Sequence, residues 1–523
     1  MQRKKKERWK EKGSITIFLT LTMLLVLSFL FSLLEAARVY GLGSLTQQKM
    51  KVRLESAFGA YNRPLWEQYD LLFLDGGYGT SNFNLSLLEG HIMEEAQKEE
   101  GRGFLTMEMK SAEITQYALA ADNGGAILRQ QASQVIRQKC AEHLLKEAAQ
   151  KLLEGISLYR ESGSMEEKWR DAKEAIDQAK EGESEEQKEG DNVKGQETQR
   201  EQEEGDAQGQ ENQEVTENPV SYVENLRRTG ILGLVVENPG EISTKGRDTT
   251  QSVQNRERYC GNLPAKEEDI VDKVCFLQYL SGYFSCAGGA GAYQSGNHVL
   301  DYELEYCISG KKTDYENLEA VVNKLLAVRM SGNFISLLKS PQKQAQAYEV
   351  AAGIVGLVGA APLIKPVQIG VLLAWSYVES IRDVRHLLSG GKVPLVKSEA
   401  EFQCELGSLH KVVDSWDQSS KQERGLDYRQ YLMILLGILE EDTLSYRAMD
   451  VMEQNLRLYA GYGQVRIDAM IQSVKAVGTY QAPQLFWSMV MLAEKKTKGR
   501  NYVFDREQTF SYLIEGEAAL PVK

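Results

Sequence analysis

From Ser14 to Leu34 the chain runs 21 residues without a charge, SITIFLTLTMLLVLSFLFSLL. A helix of about 20 residues, rising 1.5 Å per residue, spans the roughly 30 Å hydrocarbon core of a bilayer, so residues 14–34 read as a transmembrane helix. Apolar residues then recur at near-helical spacing through Val39, Leu42, Leu45, Met50, Val52, Leu54, Ala57 and Phe58, and no proline intervenes before Pro64. The pattern predicts one continuous helix over 14–61, about 70 Å long, weakened at Gly41 and Gly43 by about 1 kcal/mol each.

Beyond Pro64 the periodicity shortens. LWEQYDLLFLDGGYG at 65–79 reads as a strand closed by glycine punctuation, and FLTMEMKSAEITQYALAAD at 104–122 as one or two strands. Residues 126–159 return to a helical period through Ile127, Val135, Ile136, Leu144, Leu145, Leu152 and Leu153. Residues 35–160 are therefore expected to form a membrane-proximal helix and a small α+β module.

A second ordered region is expected over 219–523. Leu300, Tyr302, Leu304, Tyr306 and Ile308 alternate with Asp301, Glu303, Glu305 and Cys307, the pattern of a half-buried strand. Thr313-x-x-Glu316 is a capping box, and the helix it opens carries Leu318, Val321, Val322, Leu325, Leu326 and Val328 inward. Further helices are expected at 342–358, 366–388, 428–439 and 442–458, and strands at 485–492 and 501–514. The fold class is α+β with helix in the majority. Val350–Val378 carries Lys365 as its one charge, and Pro362 and Pro366 bracket that lysine. Each half is short for a span, so the segment reads as a buried helical hairpin rather than a second crossing.

Charge divides the chain further. The arm 1–13 holds seven Lys/Arg against two Glu, which by the positive-inside rule places it in the cytoplasm and the bulk of the chain outside the cell membrane. A cleaved signal peptide would have a shorter apolar run and a small-residue cleavage site; here Glu35 and Arg38 stand at that point, which favours a retained signal-anchor in a single-pass protein. Residues 181–217 hold 14 acidic and three basic side chains with almost nothing apolar. Such a stretch cannot offset its ordering entropy, so 161–218 is expected to be a disordered acidic linker. The whole chain has 61 Lys+Arg against 74 Asp+Glu in 523 residues, a net charge of −13, and a mean hydropathy of −0.39. That balance argues against nucleic acid as a partner.

Reactive chemistry is sparse. His91, His143, His298, His386 and His410 are scattered, with no metalloprotease spacing. Cys140, Cys260, Cys275, Cys286, Cys307 and Cys404 include no C-x-x-C pair. Cys260, Cys275, Cys286 and Cys307 are close enough in sequence to form disulfides in an exported chain, or they are buried free thiols. Ser389-Gly390-Gly391-Lys392 fails the phosphate-loop pattern and fits a helix C-cap. Glu440-Glu441-Asp442 reads as a helix junction. No catalytic residue, metal site or cofactor is expected, and the chain does not read as an enzyme.

The segments Gly13–Leu19 (GSITIFL), Leu33–Arg38 (LLEAAR) and Tyr61–Asp75 (YNRPLWEQYDLLFLD) resemble the start of an uncharacterised Gram-positive bacterial family, a domain of unknown function similar to TadE/TadG-like pilus-associated membrane proteins. Tyr302–Met330 and Leu372–Lys397, with LSGGKVPLV at 388–396, resemble it as well. The resemblance implies a structural, pseudopilin-like or assembly role in a tight-adherence (type IVc-like) pilus or secretion apparatus. Its partners would be the lipid bilayer and other membrane proteins of that apparatus. Gly13-Ser14 fits the start of a prepilin processing site, but Phe18 stands at the fifth position, where prepilins usually carry Glu. An anchored surface adhesin or binding module is the alternative function.

Overall fold

Helix α1 (Arg3–Phe58) is unbroken over 56 residues, about 84 Å at 1.5 Å per residue. The structure, a computed structural model, describes residues 3–98, 103–191, 218–356, 361–409, 424–486 and 501–513. Two environments meet within α1. Its first half is exposed, from Ile15 (67%) through Leu24 (71%) to Leu34 (45%). Its second half buries Glu35, Arg38, Leu42, Thr46, Met50, Arg53, Leu54, Ala57 and Phe58, a stripe at three- and four-residue spacing. The helix ends at Gly59, and the short helix α2 (Arg63–Tyr69) follows with Pro64 in its first turn and Asn62 as N-cap.

The chain folds into two units: Met1–Gln131 with Glu257–Glu267 and Leu456–Lys523, and Ala132–Arg256 with Glu268–Asn455. The first, the sheet unit, adds strand β1 (Leu74–Asp75), helix α3 (Leu85–Lys98) and strand β2 (Glu108–Leu119) to α1 and α2. Its remaining strands come from the other end of the chain, β3 (Met470–Pro483) and β4 (Asn501–Ser511). All pairings are antiparallel. β3 is central, with Val474 opposite Tyr117 of β2 and Gly478 opposite Arg506 of β4, while β1 pairs with Met470 and Ile471. Residues 474, 476, 478, 480 and 482 of β3 point to one buried face, as a period of two requires. That face meets α1. Leu42, Met50, Leu54 and Phe58 pack with Met109, Ile114, Val474, Ala476 and Tyr480 in one apolar cluster. Gly478 permits the approach, since a Cβ there would lie 2.8 Å from both Met50 Sδ and Met109 Cε.

The second, helical unit is built from helices α4 (Asp122–Lys139), α5 (Glu142–Asp191), α6 (Pro219–Arg228), α7 (Ile231–Val235), α8 (Ile270–Tyr283), α9 (Glu303–Ser309), α10 (Asp314–Lys339), α11 (Pro341–Val355), α12 (Ile364–Leu388), α13 (Tyr428–Gly437) and α14 (Glu441–Leu456); the first turns of α4 belong to the sheet unit. α12 packs among α5, α6, α10 and α11. Although Ala361–Leu388 is long and apolar enough to cross a membrane, most of it is buried in the fold, as the hairpin reading expects.

Several expectations need correction. The linker does not start at 161: α5 continues to Asp191, because Met165, Trp169, Ala172, Ala175, Ile176 and Ala179 keep an apolar stripe that the unit buries. The rest of the acidic stretch, 192–217, lies outside the described residues. The split into modules 35–160 and 219–523 also fails, because β3 and β4 complete the N-terminal sheet and residues 132–160 join the helical unit. Residues 303–309 are helix, not strand, and both faces are buried because Glu303 and Glu305 find partners inside. Residues 65–79 give α2 and the two-residue β1 rather than one strand. The helix over 126–159 is two, α4 ending at Lys139 and α5 starting at Glu142. Of the strand expected at 485–492, residues 487–492 lie outside the described residues.

Candidate functional site

The boundary between the exposed and buried halves of α1 is marked by charge. Glu35 and Arg38 follow the apolar run immediately and are 0% and 1% exposed. Their spacing puts both on one helical face, with Arg38 Nη1 3.2 Å from Glu35 Oε1. Arg38 also donates to backbone carbonyls outside the helix, from Nε to Phe104 O at 2.6 Å and from Nη1 to Pro483 O at 2.7 Å. Glu35 Oε2 accepts from the Phe486 backbone N–H at 3.1 Å. Burial, helped by the Glu35 carboxylate, raises the Tyr502 phenol above its ordinary pKa. Phe486 stacks on Phe31 of α1 at 5.8 Å and lies 5.4 Å from Phe104. A desolvated ion pair is costly unless its remaining donors and acceptors are met; here the loop before β2 and the end of β3 meet most of them. The pair thus locks the helix to the sheet where the apolar surface ends.

Within the apolar half, Thr20 and Thr22 donate to carbonyls three and four residues back, and Ser28 to Leu25 O. Their polar groups are satisfied inside the helix, as a hydrocarbon environment requires. Gly13 and Ser14 lie within α1 with no break at the proposed processing point.

Farther down, Arg53 lies against Tyr480, its Nη1 donating to the phenol oxygen at 3.1 Å. Phe58 packs against Phe510 at 4.4 Å and Tyr512 at 5.4 Å, and Tyr512 donates its hydroxyl to Phe58 O.

The helical unit buries a different chemistry. Arg329 of α10 donates from Nε and Nη2 to Asp383 Oδ2 of α12, at 3.0 and 2.8 Å. Its Nη1 donates to Pro394 O, Leu395 O and Tyr431 Oη. Lys397 contacts Asp383 Oδ1 at 2.5 Å and also hydrogen-bonds Glu379. Burial pushes the Asp383 carboxyl up, but Lys397 and Arg329 outweigh it and hold the group below its ordinary range. Burial likewise opposes the Lys397 ammonium, and Asp383 and Glu379 outweigh it, raising that group. These four ions tie the 389–404 strap, with its LSGGKVPLV run, onto α10 and α12. Gly390, at φ +87°, ends α12 as a left-handed cap.

A second group surrounds α9. Glu303 accepts from Ser285 N, Asn455 Nδ2 and His298 Nδ1. Glu305 accepts from Ala287 N at 2.9 Å and Tyr428 Oη at 2.8 Å through Oε1 alone. Burial pushes its carboxyl up to about 7. Neither cluster is visible in the sequence: Glu303 and Glu305 read as the wet side of a strand, and no local pattern singles out Arg329, Glu379, Asp383 or Lys397.

The cysteines resolve into thiols. All six are free in this structure: Cys275, Cys286, Cys307 and Cys404 are buried, Cys140 is half-buried and Cys260 is exposed. Of the two alternatives for Cys260, Cys275, Cys286 and Cys307, the disulfides are not formed here; Cys275, Cys286 and Cys307 are buried free thiols and Cys260 is an exposed one. Cys260 belongs to the sheet unit and the other three to the helical one. Burial pushes the Cys275 thiol up to about 11 and Cys286 up to about 12, which removes nucleophilic character. A cavity of about 200 Å³ lies among α5, α6, α10 and α12. Arg227 at its wall pairs with Glu166 at 2.9 Å and stacks over Trp169 and Tyr377. Among the described residues no group of three His, Cys, Asp or Glu is placed to hold a metal. His410 lies outside the described residues.

A family of unknown function (DUF5702) matches residues 209–482, just over half of the chain. The chain belongs to this family. The DUF5702 match covers most of the helical unit, including both buried clusters, and reaches the end of β3. The N-terminal segments 13–19, 33–38 and 61–75 lie outside it. No curated protein and no solved structure matches the chain.

Proposed function

We propose that this DUF5702 chain is a non-enzymatic, single-pass membrane protein, with the arm 1–13 in the cytoplasm and both folded units outside. In this reading it is a pseudopilin-like subunit or assembly component of a tight-adherence (type IVc-like) pilus or secretion apparatus, similar to TadE/TadG-like proteins. The observation that carries the reading is α1 itself. An exposed apolar half of membrane length passes without a break into a half that forms the core of an antiparallel sheet. A helix so joined transmits any lateral contact made in the bilayer straight to the outer unit. Small hydroxyl residues at 14, 16, 20, 22, 28 and 32 offer positions for close helix contact.

Replacement of 14–34 by an unrelated apolar span of equal length tests this. The variant should still reach the membrane but lose co-purification with the other apparatus proteins. Retained co-purification would sink the lateral-packing role, and retained adhesion without any such partners would favour an anchored adhesin.

A further inference from the structure

We propose that Lys397 and Asp383 become joined by an intramolecular isopeptide bond formed inside the helical unit. Asp383 lies near the end of α12, Glu379 one turn before it, and Lys397 on the strap after the helix. Lys397 Nζ is 2.5 Å from Asp383 Oδ1 and hydrogen-bonds Glu379 Oε1. On the opposite side of the Asp383 carboxyl, Oδ2 accepts three N–H groups: Arg329 Nε at 3.0 Å, Arg329 Nη2 at 2.8 Å and Asn333 Nδ2 at 2.9 Å. The four ionisable side chains are at most 4% exposed, and Asn333 is 0% exposed.

A structural ion cluster needs charge balance, which two cations and two carboxylates supply. This one also has the parts of an acyl transfer in the right places. An amine touches an acyl group, a second carboxylate touches the amine, and three donors sit on the oxygen where negative charge would gather. Fixed reacting groups in a closed site remove most of the entropic barrier to amide formation.

The atoms balance without any added reagent. Lys397 passes a proton from Nζ to the Glu379 carboxylate, Glu379 hands it to Asp383 Oδ1, and the freed lone pair of Nζ attacks Cγ of the neutralised carboxyl. The new C–N bond puts negative charge on Oδ2, held by Arg329 and Asn333. Glu379 then carries a second proton from Nζ to Oδ1. The Cγ–Oδ1 bond breaks, Oδ1 leaves as water, and Glu379 is again a carboxylate. Both reactants rest as ions, so the first proton transfer makes this a slow maturation step. The product staples the strap to α12 covalently.

The peptide map of the full chain extracted from membranes tests the bond. Trypsin should fail to cut after Lys397. The peptide 393–411 should then carry Asp383-Val384-Arg385 as a branch, one water lighter than the sum of the two. Lys397→Arg should abolish the branch, and Glu379→Gln should slow its formation roughly 100-fold, the contribution of a positioned acid–base group. Recovery of Asp383-Val384-Arg385 and 393–397 as separate, full-mass peptides from the native chain would overturn the proposal whether or not the variants fold. A branch to Glu379 would overturn the choice of Asp383 as acceptor, and a water loss confined to Asp75-Gly76 would overturn the cross-link.

Discussion

The sheet unit and the helical unit differ in what they bury beside their apolar cores. In the sheet unit α1 is held by an apolar stripe, Leu42, Met50, Leu54 and Phe58 against Val474, Ala476 and Tyr480, with the Glu35–Arg38 pair where the exposed apolar run ends. In the helical unit whole groups of ionisable side chains are buried: Arg329, Asp383, Lys397 and Glu379 in one place, Glu303 and Glu305 in another. Apolar stripes tolerate substitution of similar volume. Buried ions tolerate little, because removing one partner leaves another uncompensated. Each unit is therefore vulnerable at a different point. The sheet unit needs volume, and the helical unit needs complete partner sets.

The contrast can be broken by substitution. Arg329→Met should have the largest effect, about 3–5 kcal/mol of the helical unit's stability, by leaving Asp383 Oδ2 and the Pro394 and Leu395 carbonyls without the Arg329 donors. Denaturant unfolding followed through Trp169 and Trp375 would show it, and a loss below about 1 kcal/mol would remove the distinction between the units. Leu54→Ala, in a fully buried position of α1, should cost about 2–5 kcal/mol as a cavity, while Leu54→Met should cost under about 1.5.

Acidity gives a third test. The Glu305 carboxyl, raised to about 7 in the folded chain, binds its proton more tightly folded than unfolded. Its contribution to stability is complete below the unfolded value near 4.3 and is lost as pH rises through about 7. Stability of the native chain relative to Glu305→Gln should therefore fall by roughly 2–4 kcal/mol between pH 4 and pH 8. An unchanged difference across that range would show that Glu305 is not held protonated. The smallest effect belongs to Thr313→Ala, which removes the side-chain acceptor for Glu316 N at the start of α10; about 1 kcal/mol is expected, and Thr313→Ser should restore it.

What was legible in the sequence was local. The apolar run, the stripe that continues it, the capping box at Thr313 and the C-cap at Gly390 depend on neighbouring residues, and each appears where its pattern put it, save that Val52 of the stripe is exposed. Non-local features escaped. Nothing near Met470–Pro483 says that one of its partner strands is Glu108–Leu119, far earlier in the chain, so the sheet could not be assembled from periodicity. The strand expected at 300–308 failed for a related reason. Alternation signals a strand when the charged positions face water, whereas Glu303 and Glu305 face Ser285, Ala287, Tyr428 and Asn455. The linker expected from 161 is shorter because the sparse stripe from Met165 to Ala179 finds its cover in helices distant in sequence, which no local pattern reveals.

In the topology we propose, α1 crosses the membrane once and both folded units lie outside. Cys260 is an exposed native thiol in the sheet unit, while Cys275, Cys286, Cys307 and Cys404 are buried. Intact cells treated with a membrane-impermeant maleimide should label the chain, and Cys260→Ser should remove most of that label. Labelling of Cys260 only after the cells are lysed would contradict the account.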